Sequence, residues 1–287
     1  MKKTLSFLHL FVCVVATSAL GFEPDKAVIY KTIGDVELKL HVFQPEGHRP
    51  ADQRPAIVFF FGGSWSSGAP TQFYQQAREL ADLGFVAMSA EYRVAKRNKT
   101  TPFDAVADAK SAVRWIRQHA EAMGIHPGKI VASGGSAGGH LAVCTALIQG
   151  GEQDGEDHAV SSVPDAVVAF NPVLDTTARG FGLKRVGKDR QFEVSPCHQV
   201  QPGLVPMLVL HGTADKTVPF ENAQRFARQM QEAGNRCELL SFEGEGHGFF
   251  NSAFFRPKIK DTVLYDQGMS ATVAFLASLG YVVEPDG

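Results

Sequence analysis

Between Lys129 and Leu147 the chain changes character twice, and little else in it narrows the possible folds so far. An apolar run (Ile130, Val131, Ala132) leads into Gly134-Gly135-Ser136-Ala137-Gly138-Gly139, and a helix-period segment follows through His140, Leu141, Val143, Cys144 and Leu147. A strand ends, turns sharply at Ser136 and becomes a helix. This is the G-x-S-x-G nucleophile elbow: its strained turn needs residues without Cβ beside the serine, so that Oγ projects from the C-terminal edge of a sheet. The helix N-terminus also aims free N–H groups at charge developing beside Oγ. Glycine-rich turns are common and a bare five-residue pattern arises by chance. The flanks decide the matter, because a β-type run before and a helical pattern after are the context this motif requires.

The rest of the chain must supply a sheet for that turn. Met1-Lys2-Lys3, a mostly apolar run from Leu5 to Ala16, and small residues at Ala19 and Gly21 read as a secretory signal peptide over residues 1–21. The apolar run is shorter than the roughly 20 residues a membrane span needs, and it contains His9. Export to a periplasm or the medium is expected, with no stable membrane insertion. Val12 before Cys13 is too bulky for a lipoprotein processing site. Residues 22–287 are then long enough for one large α/β domain.

A net charge of −2, with Lys and Arg scattered, offers no basic stripe for nucleic acid. Of four cysteines one lies in the leader, and Cys144, Cys197 and Cys237 form no paired spacing, so no disulfide framework is implied. No CxxC or HExxH pattern supports a metal site.

In order, the remaining chain alternates between periods 2 and 3.6. Ala27 to Ile33 and Val36 to Phe43 read as a hairpin turning at Gly34-Asp35. Ala56 to Phe61 is apolar throughout, as in a strand covered on both faces. Gln72 to Leu83 is helical, Phe85 to Ala90 a strand, and Phe103 to Met123 a long amphipathic helix. After the elbow come a strand at Ala166 to Phe170, an irregular stretch from Asp175 to Pro202, a strand at Met207 to Leu210, a helix at Glu221 to Ala233, a strand at Glu238 to Phe242 and a helix around Asp261 to Leu279. Such repetition means a largely parallel sheet of about eight strands with helices on both faces, its first hairpin antiparallel.

Ligands of such sheets bind at the carboxyl ends of the strands. Two loops there carry the partners a serine needs, a base to take its proton and a carboxylate to hold that base. One is His211-Gly212-Thr213-Ala214-Asp215, and the other is Glu243-Gly244-Glu245-Gly246-His247-Gly248-Phe249. Either residue alone has a plain alternative: Asp215 as the cap of the helix that follows, His247 as one more loop histidine. The order Ser136, Asp215, His247 behind a well-framed elbow points to a triad. Asp175, after the preceding strand, is the runner-up acid; Asp165, His211 and His198 are the other competitors. A third loop, Phe61-Gly62-Gly63-Ser64-Trp65, has two glycines at a strand end that let backbone N–H groups face an oxyanion.

Phe61-Gly62-Gly63-Ser64-Trp65, Glu91-Tyr92-Arg93, the elbow, His211 to Asp215 and His247-Gly248-Phe249 together resemble the landmarks of α/β-hydrolase-fold serine esterases. The nearest groups are the hormone-sensitive-lipase-like esterases and the bacterial carbohydrate acetylesterase and feruloyl-esterase-like enzymes. The likeness runs over about residues 35 to 280. It implies Ser136 as nucleophile, Asp215 as acid and His247 as base, and an oxyanion hole of the Gly63, Ser64 and Ala137 N–H groups. It also implies no cofactor and no metal. Phe61 stands where many relatives have His, which removes a side chain that orders the loop. Ser64 stands where they have a third Gly, which puts a Cβ near the acyl pocket.

The stretch Thr176 to Pro202 is the only sizeable insertion, so at most a small cap is expected, and its Arg179, Lys184, Arg185, Lys188, Asp189 and Arg190 make it polar. A lid for lipid would be apolar. The expected substrate is a small, short-chain ester or an acetylated carbohydrate, in an acyl pocket bounded by Ser64 and Trp65. Two alternatives stay open at this point. A serine peptidase of the prolyl-oligopeptidase type has a similar acid loop but carries Tyr where this chain has Ala137. A non-catalytic hydrolase-like binding protein is the other.

Overall fold

Strands apolar on both faces need cover on both, and the chain supplies it by sending successive helices to opposite sides of one sheet. The computed structural model describes residues 22–258 and 261–282; the expected signal peptide, residues 1–21, lies outside them. Strands β1 (Lys26–Ile33) and β2 (Val36–Phe43) form the expected hairpin around Gly34-Asp35. Then follow β3 (Arg54–Phe60), α1 (Tyr74–Asp82), β4 (Val86–Ala90), a single turn α2 (Ala95–Asn98), α3 (Pro102–Gln118), β5 (Ile125–Gly135), α4 (Ala137–Leu147), β6 (Ala166–Phe170), a single turn α5 (Leu183–Val186), β7 (Met207–Gly212), α6 (Phe220–Glu232), β8 (Cys237–Phe242) and α7 (Val263–Ser278). The eight strands make one sheet in the order β1-β2-β4-β3-β5-β6-β7-β8. Pairings β1/β2 and β2/β4 are antiparallel, and every other pairing is parallel.

Alternation along β3 shows the layering. Ala56, Val58 and Phe60 belong to the core that α3, α4 and α6 cover, while Ile57 and Phe59 belong to the core under α1 and α7. Helix α4 is buried along its whole length, which is why the sequence after the elbow is apolar on every side. Helix α3 opens on a capping box, Thr101 with Asp104, with Pro102 in its first turn.

Two of the boundaries that differ from the sequence reading have a clear local reason. Helix α3 stops at Gln118 rather than Met123, because the chain closes a turn that ends at Gly124, whose φ of +64° is left-handed. Strand β7 runs on through His211 and Gly212, which pair with Ser241 and Phe242 of β8, so His211 is a strand residue with no exposed surface. Cys144, Cys197 and Cys237 are buried free thiols. Burial pushes all three thiols up, to about 11 at Cys197 and about 12 at Cys237. Among the described residues no helix is long and apolar enough to cross a membrane.

Candidate active site

The elbow forms where β5, in the middle of the sheet, meets α4. Ser136 sits at φ 58°, ψ −120°, a conformation that a residue with a side chain adopts only under constraint. The constraint is packing on either side. A Cβ on Gly134 or on Gly138 would overlap the Phe60 carbonyl of the neighbouring strand, so both positions demand glycine, and the backbone is pressed into the turn between them. The Ser136 N–H is bound to the Phe170 carbonyl at 2.9 Å, and its own carbonyl accepts from the His140 N–H at 3.0 Å. Oγ is left as the free group of the residue.

His247 reaches that group from the loop after β8, its Nε2 lying 2.8 Å from Ser136 Oγ. Its Nδ1 lies 2.7 Å from Asp215 Oδ2. The network assigns the tautomer: Nδ1–H donates to the carboxylate and Nε2 accepts from the serine hydroxyl. Asp215 is held in turn, its Oδ1 accepting the amides of Thr217 at 2.8 Å and Val218 at 2.9 Å. His211 Nε2–H donates to the Val218 carbonyl at 3.1 Å and lies 3.3 Å from Asp215 Oδ2. Burial by itself would push the Asp215 carboxyl up. The hydrogen bonds from His211, His247 and the Val218 amide outweigh it and hold the carboxyl well below the usual carboxylate range, so the group stays ionised beside the imidazole.

Of the competing residues, His211 lies against Asp215 itself, and the other three are engaged elsewhere. Asp175 is fully buried and takes Arg225 and the Thr177 amide. Asp165 takes Arg117 and the Ile130 amide. His198 pairs with Ser195 Oγ.

The loop after β3 turns back on itself, the Gly63 carbonyl accepting from both Ser66 and Ser67 N–H. Gly63, Ser64 and Trp65 all have positive φ, 121°, 56° and 54°. The amides of Gly63, Ser64 and Ala137 make no backbone hydrogen bond among the described residues. What orders this loop in place of the missing histidine is a set of residues the sequence reading did not single out for the purpose. Phe61 stacks on Tyr92 with ring centroids 4.1 Å apart, and the Tyr92 hydroxyl donates to the Phe61 carbonyl at 2.8 Å, which gives the Glu-Tyr-Arg landmark a role. Gln72 Oε1 accepts the Gly62 N–H at 2.7 Å, while its Nε2–H donates to Asn251 Oδ1 at 2.8 Å. Asn251 Nδ2–H donates to the Gly248 carbonyl at 3.0 Å, so one buried side chain links the loop after β3 to the loop carrying His247. Asn171, at φ 41°, performs a similar task on the other side: its Oδ1 accepts from Gly212 N–H and its Nδ2–H donates to Gly246 O, both at 3.2 Å.

A cleft of about 290 Å³ opens over these groups, with Ser64, Gln72, Ser136, His247, Phe250 and Arg256 in its wall. Trp65 is not there. Its indole is buried against His140 and Phe181, 1% exposed, so the expectation that it bounds the pocket does not hold, and of the two residues only Ser64 lines the cleft. No residue of the Thr176 to Pro202 insertion lines the cleft either; part of that insertion packs over Trp65 and His140 behind the loop.

Ser136 and Asp215 fall within residues 40–230, which match the BD-FAE family. A thermophilic esterase from the Planctomycetes species Thermogutta terrifontis, Est2, superposes in its propionate-bound form with a TM-score of 0.86 at 46% identity, over 93% of this chain and 98% of that one. Its butyrate-bound form gives a TM-score of 0.86 at 45% identity and the same coverage. Esterase LipC of Mycobacterium tuberculosis is 30% identical over 224 residues, 70% of this chain and 54% of its own length. The chain spans about half the length of the curated relatives it matches. The hydrolase sheet, the elbow at its centre and the extent of these matches place the chain in the BD-FAE family, on the α/β-hydrolase fold of the esterases it resembles.

Proposed function

We propose that this chain is a serine carboxylesterase for short-chain esters. The observation that carries the reading is the unbroken line of hydrogen bonds Ser136 Oγ, His247, Asp215, with Gly63 and Ser64 in the same cleft and the Ala137 amide next to Ser136, none of the three amides having a backbone partner among the described residues. Ser136 attacks the ester carbonyl as His247 Nε2 takes its proton, and Asp215 stabilises the imidazolium. The three amides bind the oxyanion, the protonated imidazole hands its proton to the leaving alcohol, and water reverses the sequence to free the acid.

The size of the cleft and its wall support a short acyl chain. Ser64 places a side chain in it, and Gln72 and Phe250 are part of its wall. The propionate and butyrate carried by the thermophilic relative are of the length this cleft suits. Each methylene left unburied forfeits about 0.8 kcal/mol, so four extra carbons forfeit about 3 kcal/mol, roughly a hundredfold. An acetylated carbohydrate is the finer possibility, and export after loss of residues 1–21 goes with it.

The test is kcat/KM on 4-nitrophenyl esters from acetyl to octanoyl, below their micelle concentrations, with acetylated xylan alongside. Preference for acetyl to butyryl supports the reading, octanoyl rates equal to acetyl would return a lipase, and no turnover of any ester would remove the esterase assignment. Intact-mass measurement of the secreted protein with Met1 retained would overturn export with cleavage.

A further inference from the structure

The cleft that holds Ser136 contains one permanently charged side chain among the described residues, and the triad does not use it. That side chain is Arg256, on the segment after His247. Its placement is built by the local chain. Ser252, with no exposed surface, accepts the Arg256 N–H on its carbonyl at 2.9 Å and the Phe255 N–H on its Oγ at 3.2 Å, which fixes the turn from which the side chain departs. The guanidinium then lies across Gly248, the residue next to His247. A Cβ on Gly248 would stand 2.6 Å from Nη1 and 3.4 Å from Cζ, so a side chain there would displace the guanidinium from this position.

Arg256 is exposed, unlike Arg93, Arg114 and Arg225, which are buried or half-buried and matched to carboxylates, Asp108, Glu152 with Glu156, and Asp175. No acidic side chain lines the cleft, and the Arg256 guanidinium forms no ion pair or hydrogen bond among the described residues. With an uncharged ester that charge meets an imidazolium and an oxyanion formed together, and it has no assigned part in the proposed mechanism. The balance changes when the substrate brings an anion. A planar guanidinium presents a fork of donors that fits a carboxylate, and such charge-assisted pairs are the strong ones.

We infer that Arg256 is a specificity-determining residue that selects esters bearing a second, free carboxylate, in a cleft where it holds that group while Ser136 acts on the ester. This rests on the esterase reading above. The carboxylate has two sources, the acyl half of the ester, as in a half-ester of a dicarboxylic acid, or the alcohol half, as in an acylated hydroxy acid. The chemistry of recognition is the same in both.

The experiment has one arm for each. Monoethyl succinate is compared with ethyl butyrate, and 4-carboxyphenyl acetate with phenyl acetate, by pH-stat at low salt, for the wild type, Arg256→Gln and Arg256→Lys. In the arm that matches the natural source, Arg256→Gln should lower the ratio of kcat/KM, carboxylate ester over neutral ester, by about tenfold, and the loss should fall on KM. Arg256→Lys should recover part of it, and 0.5 M NaCl should shrink the wild-type ratio but not that of Arg256→Gln. A ratio unchanged by Arg256→Gln in both arms, whether both members fall together or neither does, overturns the inference. Turnover of the neutral esters by the wild type tells these failures apart from failure of the esterase reading, which would leave all four esters uncut and take the inference with it.

Discussion

The serine and the histidine of the cleft are delivered by regions built on opposite principles. The elbow is fixed by exclusion: Gly134 and Gly138 are jammed against the Phe60 carbonyl, helix α4 is buried throughout, and Ser136 has no other place to go. The loop from Glu243 to Arg256 is fixed by attachment. Gly246 has nothing within 4 Å of where a Cβ would be, and the position of His247 depends on hydrogen bonds: Asn171 to Gly246 and Gln72 to Asn251 reach in from other parts of the chain, and Asn251 to Gly248 closes within the loop. Packing fixes Ser136 and hydrogen bonds fix His247. The first tolerates no added atom, whereas the second has room for one at Gly246 and fails when a tether is cut.

That contrast can be broken most severely at glycine. Gly138→Ala should lower the melting temperature by about 10 °C or more, or abolish soluble expression, since backbone must yield to a methyl group. Gly246→Ala should leave the melting temperature within about 2 °C and ester turnover within about twofold. Equal tolerance at the two positions would remove the distinction.

Next in size is a pH effect beneath the elbow. Burial pushes His140 down to about 4, although its bond to the Val194 carbonyl opposes this. The unfolded chain takes up a proton near pH 6.5 that the folded one refuses, so stability is fully present above about pH 6.5 and lost as pH falls toward 4, by about 3 kcal/mol. Urea titrations between pH 7 and 4 should show this slope in the wild type and a flatter one in His140→Gln. Identical slopes would place the acid sensitivity elsewhere.

A smaller effect is expected at the tether. Gln72→Leu leaves the Gly62 amide and the Asn251 side chain without their partner, and should lower kcat about 10- to 30-fold with KM little changed, because both the oxyanion loop and the base lose registration. Gln72→Glu keeps an acceptor for Gly62 but loses the donor to Asn251, and should fall between. A drop in melting temperature with kcat intact would make the tether structural only.

The same contrast explains what could be read in the sequence. The elbow is a local event, strand then glycines then helix within nineteen residues, so Ser136 and its surroundings were legible, as were the eight strands that apolar runs announce. Asp215 and His247 were legible only through chain order and their place after strands. Gln72 and Asn251 lie 179 positions apart and meet through one amide bond, and nothing near either residue encodes the meeting. Trp65 misled for a related reason: adjacency to Ser64 put it at the pocket, but successive positive φ values at Ser64 and Trp65 turn the indole back into the core. His211 looked like a loop residue because the polar Thr213-Ala214-Asp215 follows it closely, while its pairing with Ser241 of β8 holds it in the strand.

The most direct measurement of the central claim, that Ser136, His247 and Asp215 act as one unit on an ester, is covalent labelling with an aryl dialkyl phosphate, followed by peptide mass mapping and by release of the phenol. The account predicts one phosphoryl group per chain, on Ser136, appearing in step with loss of ester turnover, and labelling slowed by about 10³ or more in His247→Gln and Asp215→Asn while Asp175→Asn labels almost as fast as the wild type. Label on another residue, or ester turnover that survives in Ser136→Ala, would contradict it.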